Sequence, residues 1–500
     1  MSKRRPWLLR AIAVLLGISV FPLAELACVL LGWGQPSAYD DPYVGFSAIH
    51  PLFVLNADGT RYFIPPSRRR FFAPESFPAR KPPGTFRIFC LGGSTVQGHP
   101  YSKETSFTTF LQLGLAQAQP TRSWEVINCG GVSYASYRLV PILQECLSYE
   151  PDLFVICTGH NEFLEDRTYG HVKRGWLTGR AWLTDWRVVV LLREGYRRMA
   201  RFAAASVPDQ RPILAADADP LLDYHRGLRA YHHDPAWRAG VVEHFESNLR
   251  RMVALARGRG VPLVLIREAS NLSDCPPFKS EHRPGLSPAE LAAWETHFSR
   301  AQDLYRTNLP QAIAELEAAA RLDDQYAATF YELGQCLASQ RQYAAAREAF
   351  VRARDVDVCP LRMITPLEER MERVSRDTGT PLVDAHALLE ARTATGILGE
   401  DLLCDHVHPS FEGHQHLADA LIELMVAQRW VQPVVNWRQQ AHAAYRRHFA
   451  ALDEMYFLRG QRTLNSVRAW TQGRAGGPPI ESRAPHRLRS SATEECGEES

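Results

Sequence analysis

A serine at position 94, and an aspartate and a histidine at 405 and 408, are the side chains of this chain best placed for covalent chemistry. Ser94 stands in "CLGGSTVQG" (90–98), directly after the apolar run "FRIF". By type and setting it fits three roles: a turn residue, part of a phosphate-cradling glycine loop, or a nucleophile at the end of a strand. A phosphate loop wants a lysine before its Ser or Thr, and "GGSTVQG" has none. A serine hydroxyl is a weak nucleophile unless a base takes its proton and a third group orients that base. "CDHVHP" (404–409) offers such a pair. Asp405 and His408 are three residues apart, so the carboxylate can accept the imidazole Nδ1–H and leave Nε2 for Ser94. A D-x-x-H fragment alone says little; its position late in the chain, before a helical run, adds weight.

These residues need a scaffold that brings distant loops to one point. A βα rhythm supplies it. "FRIFCLGG" (86–93), "WEVINCGG" (124–131), "DLFVICTG" (152–159), "VPLVLIREA" (261–269) and "TPLVDAHAL" (380–388) read as short buried strands. Helical patterns over about 106–119, 135–149 and 236–258 lie between them. Apolar runs without strict alternation, separated by helices, predict a three-layer α/β/α fold around a parallel sheet. In such a sheet, ligands meet the carboxyl ends of the strands. Ser94 follows the first strand, "NCGGVSYAS" (128–136) the second, "TGHNEF" (158–163) the third, and "CDHVHP" the last strand unit.

With those four segments in order, the chain resembles the SGNH, or GDSL-like, hydrolase superfamily over about 86–165, 236–269 and 380–428. The resemblance implies that Ser94 is the nucleophile, Asn161 in "GHNE" an oxyanion donor, and Asp405 and His408 the rest of a triad. Two departures stand out. Gly93 replaces the aspartate of the name-giving "GDS" form, a variant that resembles membrane-associated members, some of which handle acyl groups on polysaccharides. The second block's glycine donor, five residues past its asparagine, falls here on Ser133, with Gly131 the other candidate; both stay open. The implied reaction is attack of Ser94 on an ester carbonyl, passing through an acyl-enzyme to water or, in a transferase, to a sugar hydroxyl. No metal or organic cofactor is required. His406, His408, His414 and His416 with Asp405 invite a zinc reading, but no second strong ligand group accompanies them.

Five hundred residues predict more than one module. A net charge of +2 gives no general drive toward nucleic acid, and ten scattered cysteines without a C-x-x-C pair offer neither a zinc ribbon nor a thioredoxin motif. Residues 11–33, "AIAVLLGISVFPLAELACVLLGW", are long enough at about 1.5 Å per residue to cross roughly 30 Å of hydrocarbon. The expectation is an uncleaved signal anchor within 1–34, with the basic "MSKRRPWLLR" cytoplasmic and the catalytic domain outside, periplasmic or extracellular. Pro22 and Glu25 weaken it, a mid-membrane carboxylate being costly. Residues 35–85, rich in Pro, Gly and Arg, read as a tether or irregular extension, with Arg68, Arg69 and Arg70 as a solvated basic stretch.

The hydrolase-like domain is then expected over 86–296 and 359–430, interrupted at 297–358. There Phe330, Leu333, Gly334, Leu337, Tyr343, Ala346, Phe350 and Ala353 follow helix–turn–helix spacing, and Ala312, Leu316 and Ala319 match Ala346, Phe350 and Ala353. This resembles a pair of tetratricopeptide repeats. Two are fewer than an independent solenoid needs, so they must lean on the host domain. A helical region over 431–472 and a disordered tail over 473–500 complete the expectation. Two functions compete. One is a membrane-anchored serine esterase, or O-acyltransferase, acting on ester or O-acyl groups of a cell-envelope glycan. The other is a non-catalytic scaffold whose repeats recruit a protein partner.

Overall fold

The computed structural model describes residues 41–169, 211–223 and 227–471, with short pieces between 19 and 33 and between 187 and 195. Five strands form the central sheet: β1 (Thr85–Gly92), β2 (Ser123–Gly130), β3 (Leu153–Cys157), β4 (Leu263–Arg267) and β5 (Leu382–Asp384), in the order β5-β4-β3-β1-β2. Every pairing is parallel. Successive side chains of a strand point to opposite faces, and this divides the apolar runs into two cores. Phe89, Leu91, Phe154, Ile156, Leu263 and Leu265 face α3 (Ser136–Cys146), α4 (Pro235–Gly258) and α9 (Thr365–Thr378). Ile88, Cys90, Val155, Cys157, Val264 and Ile266 face α2 (Phe107–Ala118), α11 (Phe411–Ala427) and α12 (Trp437–Ala450). Each large apolar side chain so buried stabilises the fold by about 1.5–3 kcal/mol. The protein is a three-layer α/β/α structure with a parallel sheet, as its strand pattern requires.

Register explains why loops meet. Gly92 at the end of β1 lies beside Gly130 of β2 and Cys157 of β3. Three strands therefore finish at one level, and the segments carrying Ser94, Ser133 and Asn161 emerge side by side. The fifth expected strand is shorter than its apolar run. Asp384 ends it by capping α10 (Ala385–Glu390), accepting the N–H of Ala387 at 2.9 Å.

Between β4 and β5 the chain forms α5 (Pro288–Leu304), α6 (Leu309–Leu322), α7 (Ala327–Ser339) and α8 (Tyr343–Asp355). Short connections fold these helices back on one another, α5 against α6 and α7 against α8. The run starts at Pro288 rather than 297 because Ser287 and Glu290 form a reciprocal capping box. Ala312, Leu316, Ala319, Ala346, Phe350 and Ala353 are all buried between the helices. At Gly334 a Cβ would stand 2.6 Å from the Phe350 ring, so only glycine lets α7 approach α8 this closely.

Two expectations about the N-terminal part need correction. From Asp41 onward the proposed tether is a packed extension. Val44, Leu52, Phe53, Phe72 and Phe77 enter the core shared with α3 and α4, and Val54–Leu55, Arg61–Phe63 and Ser76–Pro78 form a small antiparallel sheet. Arg68 is buried rather than solvated, its Nη1 bonding Asp217 at 2.7 Å and its Nη2 the Tyr134 hydroxyl at 3.0 Å. The single-pass membrane assignment is overturned: no helix among the described residues is long and apolar enough to cross a membrane. Residues 1–18, which include the first part of the expected span, lie outside the described residues, as does the expected tail beyond 471. Glu25, within the expected span, accepts the backbone N–H groups of Arg187 and Val188 at 2.9 and 3.0 Å.

Candidate active site

Ser94 opens α1 (Ser94–Gln97), two residues past the end of β1, and is half-buried. The 404–409 loop reaches it from the other end of the chain. That loop is closed on itself: Cys404 N–H donates to the His408 carbonyl at 2.7 Å and Ser410 N–H to that of Leu402 at 2.9 Å. Inside it Asp405 Oδ1 accepts the N–H groups of Val407 and His408, both at 2.9 Å. These bonds are an aspartate's local turn chemistry, and they aim the second carboxylate oxygen at the imidazole. His408 Nδ1 lies 2.7 Å from Asp405 Oδ2, and Nε2 lies 2.7 Å from Ser94 Oγ. A carboxylate can only accept, so Nδ1 carries the proton and Nε2 is free to accept from the serine hydroxyl.

Asp405 is buried, which opposes its charge, but the imidazoles of His408 and His406 outweigh burial and hold its carboxyl well below the usual range. Burial lowers His99 to about 3, assisted by His408, whose ring centroid is 5.2 Å away. Burial also lowers His406, against the pull of Asp405. His99 and His406 are thus neutral walls at ordinary pH, and Asp405 is the fixed negative charge behind His408.

The candidate oxyanion donors lie on the loops after β2 and β3. Asn161 Nδ2 donates to the Tyr134 carbonyl at 3.0 Å, which leaves the second amide hydrogen available. The same nitrogen lies against Gly93: a Cβ there would stand 2.5 Å from it. The aspartate of the "GDS" form would collide with Asn161 in this arrangement. The two candidate donors after β2 differ sharply. Gly131 donates its N–H to the Gly92 carbonyl at 2.9 Å, so this candidate is corrected: its hydrogen is already committed to holding the loop on β1. Ser133 sits at φ 64° inside a turn closed by Tyr134 N–H on the Gly131 carbonyl at 3.0 Å. Among the described residues its own N–H has no protein partner.

Several residues around the site have no role assigned by the sequence motifs, although His160 and Glu162 lie within one of them. His160 N–H donates to Glu268 Oε2 at 2.8 Å, and its Nδ1 accepts from Met363 N–H at 3.0 Å. Burial keeps this imidazole well below its ordinary value, with His406 and His408 adding to the effect. Glu268 follows β4 directly, the same strand-end position that marked Ser94 and Asn161, and that position was its one available signal. Glu162 is turned away from the chemistry, its carboxylate accepting the Ser136 N–H at 2.7 Å and hydroxyl at 3.0 Å. Of the remaining histidines in the supposed zinc cluster, His414 accepts the Phe107 N–H at 3.2 Å and His416 pairs with Glu412 at 3.4 Å. They point to different partners.

Cavity and chemistry do not coincide. A cavity of about 240 Å³ lined by Phe46, Arg68, Tyr134, Arg138 and Ile142 touches the site only through Tyr134. Another of about 420 Å³ lies between α11 and α12, lined by Phe411, His416, His442 and Phe449. Ser94 and His408 line neither, so bonding geometry and not volume identifies the site.

No protein-family description matches the chain, and no curated protein matches it. Solved structures similar to it include a lipase/acylhydrolase from Enterococcus faecalis, 12% identical, covering 70% of this chain and 98% of that one at a TM-score of 0.33. An acetyl-xylooligosaccharide esterase from Geobacillus Stearmophilus, in mutant form, is 12% identical over 68% of this chain and 93% of its own, TM-score 0.29. A GDSL-like lipase from Bacteroides thetaiotaomicron is 11% identical over 69% and 88%, TM-score 0.28. At such identities and scores the likeness carries no argument about activity; the weight rests on how Ser94, His408 and Asp405 are bonded.

Proposed function

We propose that this protein is a serine hydrolase acting on ester or O-acyl groups. The observation that carries the reading is the unbroken relay Ser94 Oγ, His408 Nε2, His408 Nδ1 and Asp405 Oδ2, with both links at 2.7 Å and the first of them joining residues 314 positions apart. In the reaction, Ser94 Oγ attacks the ester carbonyl carbon as its proton passes to His408 Nε2. Asp405 stabilises the imidazolium that forms. Negative charge collects on the carbonyl oxygen, where the N–H groups of Ser94 and Ser133 and the free amide hydrogen of Asn161 can meet it. Each such donor is worth on the order of 3 kcal/mol in the transition state. Collapse breaks the ester C–O bond, and the leaving alcohol takes the proton from Nε2. Water then attacks the acyl-enzyme with His408 as base, releasing the acid and restoring Ser94. A sugar hydroxyl in place of water makes the same site an O-acyltransferase.

The Gly-Gly-Ser form of the nucleophile loop suggested O-acylated glycan as the substrate class, and acetylated oligosaccharides are the compounds to try first. A pure scaffold role draws no support from the site, because a scaffold has no need of an aligned acid–base pair. The test is turnover of p-nitrophenyl acetate by wild-type and Ser94→Ala proteins of equal folded content. Equal rates in the two proteins would sink the proposal.

A further inference from the structure

The helical insertion ends on a segment that touches both halves of the site. We infer that Arg362, seven residues past α8, is a positioning residue for the Asp405–His408 pair, acting through Asn271, and that the insertion is thereby part of the active-site support. This rests on the serine-hydrolase reading of the site and deepens it.

Arg362 is 2% exposed, and its nearest carboxylate, Asp357, is 3.8 Å from Nη2. Its closest bonds are to main chain: Nη1 donates to the carbonyls of Asn271 at 2.7 Å and Cys275 at 2.9 Å. Holding two carbonyls from one nitrogen fixes the 271–275 loop, which runs between them. Asn271, 1% exposed, passes this constraint on. Its N–H donates to the His406 carbonyl at 3.0 Å and its Nδ2 to the Asp405 carbonyl at 3.1 Å, while its Oδ1 accepts from Asp274 N–H at 2.9 Å. Asn271 therefore holds the main chain of Asp405 and of its neighbour. Asp405 has both carboxylate oxygens committed within its own loop, so wherever its main chain moves, the imidazole partner moves with it.

Two further contacts point the same way. Tyr331 and Gln335 of α7 donate to the Ser273 carbonyl at 2.9 and 2.6 Å, so the insertion holds this loop from a second side. Met363, next to Arg362, donates its N–H to His160 beside the oxyanion residue Asn161. The insertion's exit thus braces the acid–base pair through residue 362 and the oxyanion side through residue 363. Placement errors near 1 Å far from the chemistry can cost about 100-fold in rate, so a brace of this kind has kinetic weight.

The experiment uses the full chain as Arg362→Met, Arg362→Lys and Asn271→Ala proteins. The first readout is the low-field proton resonance of the His408 Nδ1–H bonded to Asp405. The second is kcat and KM on p-nitrophenyl acetate, expressed per molecule that a fluorophosphonate labels. The inference expects Arg362→Met to move or broaden the resonance and to lower kcat about 10–100-fold, with KM within about threefold. Arg362→Lys, which keeps a charged donor, should fall between it and wild type. An unmoved resonance with unchanged kcat per labelled site overturns the inference, whatever happens to Tm. If Arg362→Met does not fold, Asn271→Ala reads the same link, and an unmoved resonance there is equally decisive. A wild-type protein that shows the resonance but turns over no ester defeats the hydrolase reading alone, because the resonance still reports whether Arg362 sets the pair.

Discussion

Gly93 and Asn161 are fitted to each other without room for a side chain: a Cβ on Gly93 would stand 2.5 Å from Asn161 Nδ2. Gly93 has φ −84°, an ordinary value for any residue, so the glycine answers to this close approach and not to backbone strain. Gly93→Ala should therefore fold while displacing the Asn161 amide. The expected result is a kcat about 100-fold lower with little change in KM, matching Asn161→Ala. In the Gly93→Ala, Asn161→Ala double variant the losses should not add, since both remove one donor. Multiplying losses would show that Gly93 acts elsewhere.

Asp405 is held as a carboxylate far below its ordinary range. It therefore contributes stability at every pH above the unfolded value near 4, a contribution lost only as pH falls through its lower folded value. The acid limb of the pH–rate profile accordingly should not belong to Asp405. Asp405→Asn removes the acceptor that fixes the His408 tautomer and should lower kcat by about 1,000–10,000-fold. Steady-state kinetics across pH measures both. An Asn variant within tenfold of wild type would contradict the orienting role.

Glu268 predicts the opposite pH dependence of stability. Burial pushes its carboxyl up to about 7, with the His160 N–H and Cys157 thiol pulling against it. Between the unfolded value near 4.3 and 7 the folded protein keeps a proton that the unfolded chain has released. The stability this group gives is complete below about pH 4 and is lost as pH rises through 7. Glu268→Gln retains an acceptor for His160 and cannot ionise. Urea unfolding of the variant should lose less stability between about pH 5 and 8, by up to about 3 kcal/mol. Identical pH slopes in both proteins would contradict the assignment.

Strand ends and fixed spacings made part of this site legible in the sequence. Ser94 and Asn161 follow buried apolar runs, and Asp405 and His408 stand one turn apart, so local pattern alone could nominate them. The choice between Gly131 and Ser133 was not local. It turns on the Gly131 N–H reaching the Gly92 carbonyl on a neighbouring strand, which no count along the chain reveals. Arg362 and Asn271 carry no motif, because their partners are 91 and 134 positions away. Proline-rich composition concealed the packing of residues 41–85, although Phe71, Phe72 and Phe77 were visible there as apolar side chains in need of burial. The apolar length of 11–33 resembled an anchor, but Glu25, which caps a distant segment, was the sign against it.

Activation of Ser94 by His408 is read directly by covalent labelling with a fluorophosphonate. The wild-type protein should take up one probe, mapped by mass spectrometry to the peptide carrying Ser94. His408→Ala, with unchanged circular dichroism, should label at least about 1,000-fold more slowly. Labelling of Ser94 at the same rate in both proteins, or of some other serine in the wild type, would show that His408 does not activate Ser94.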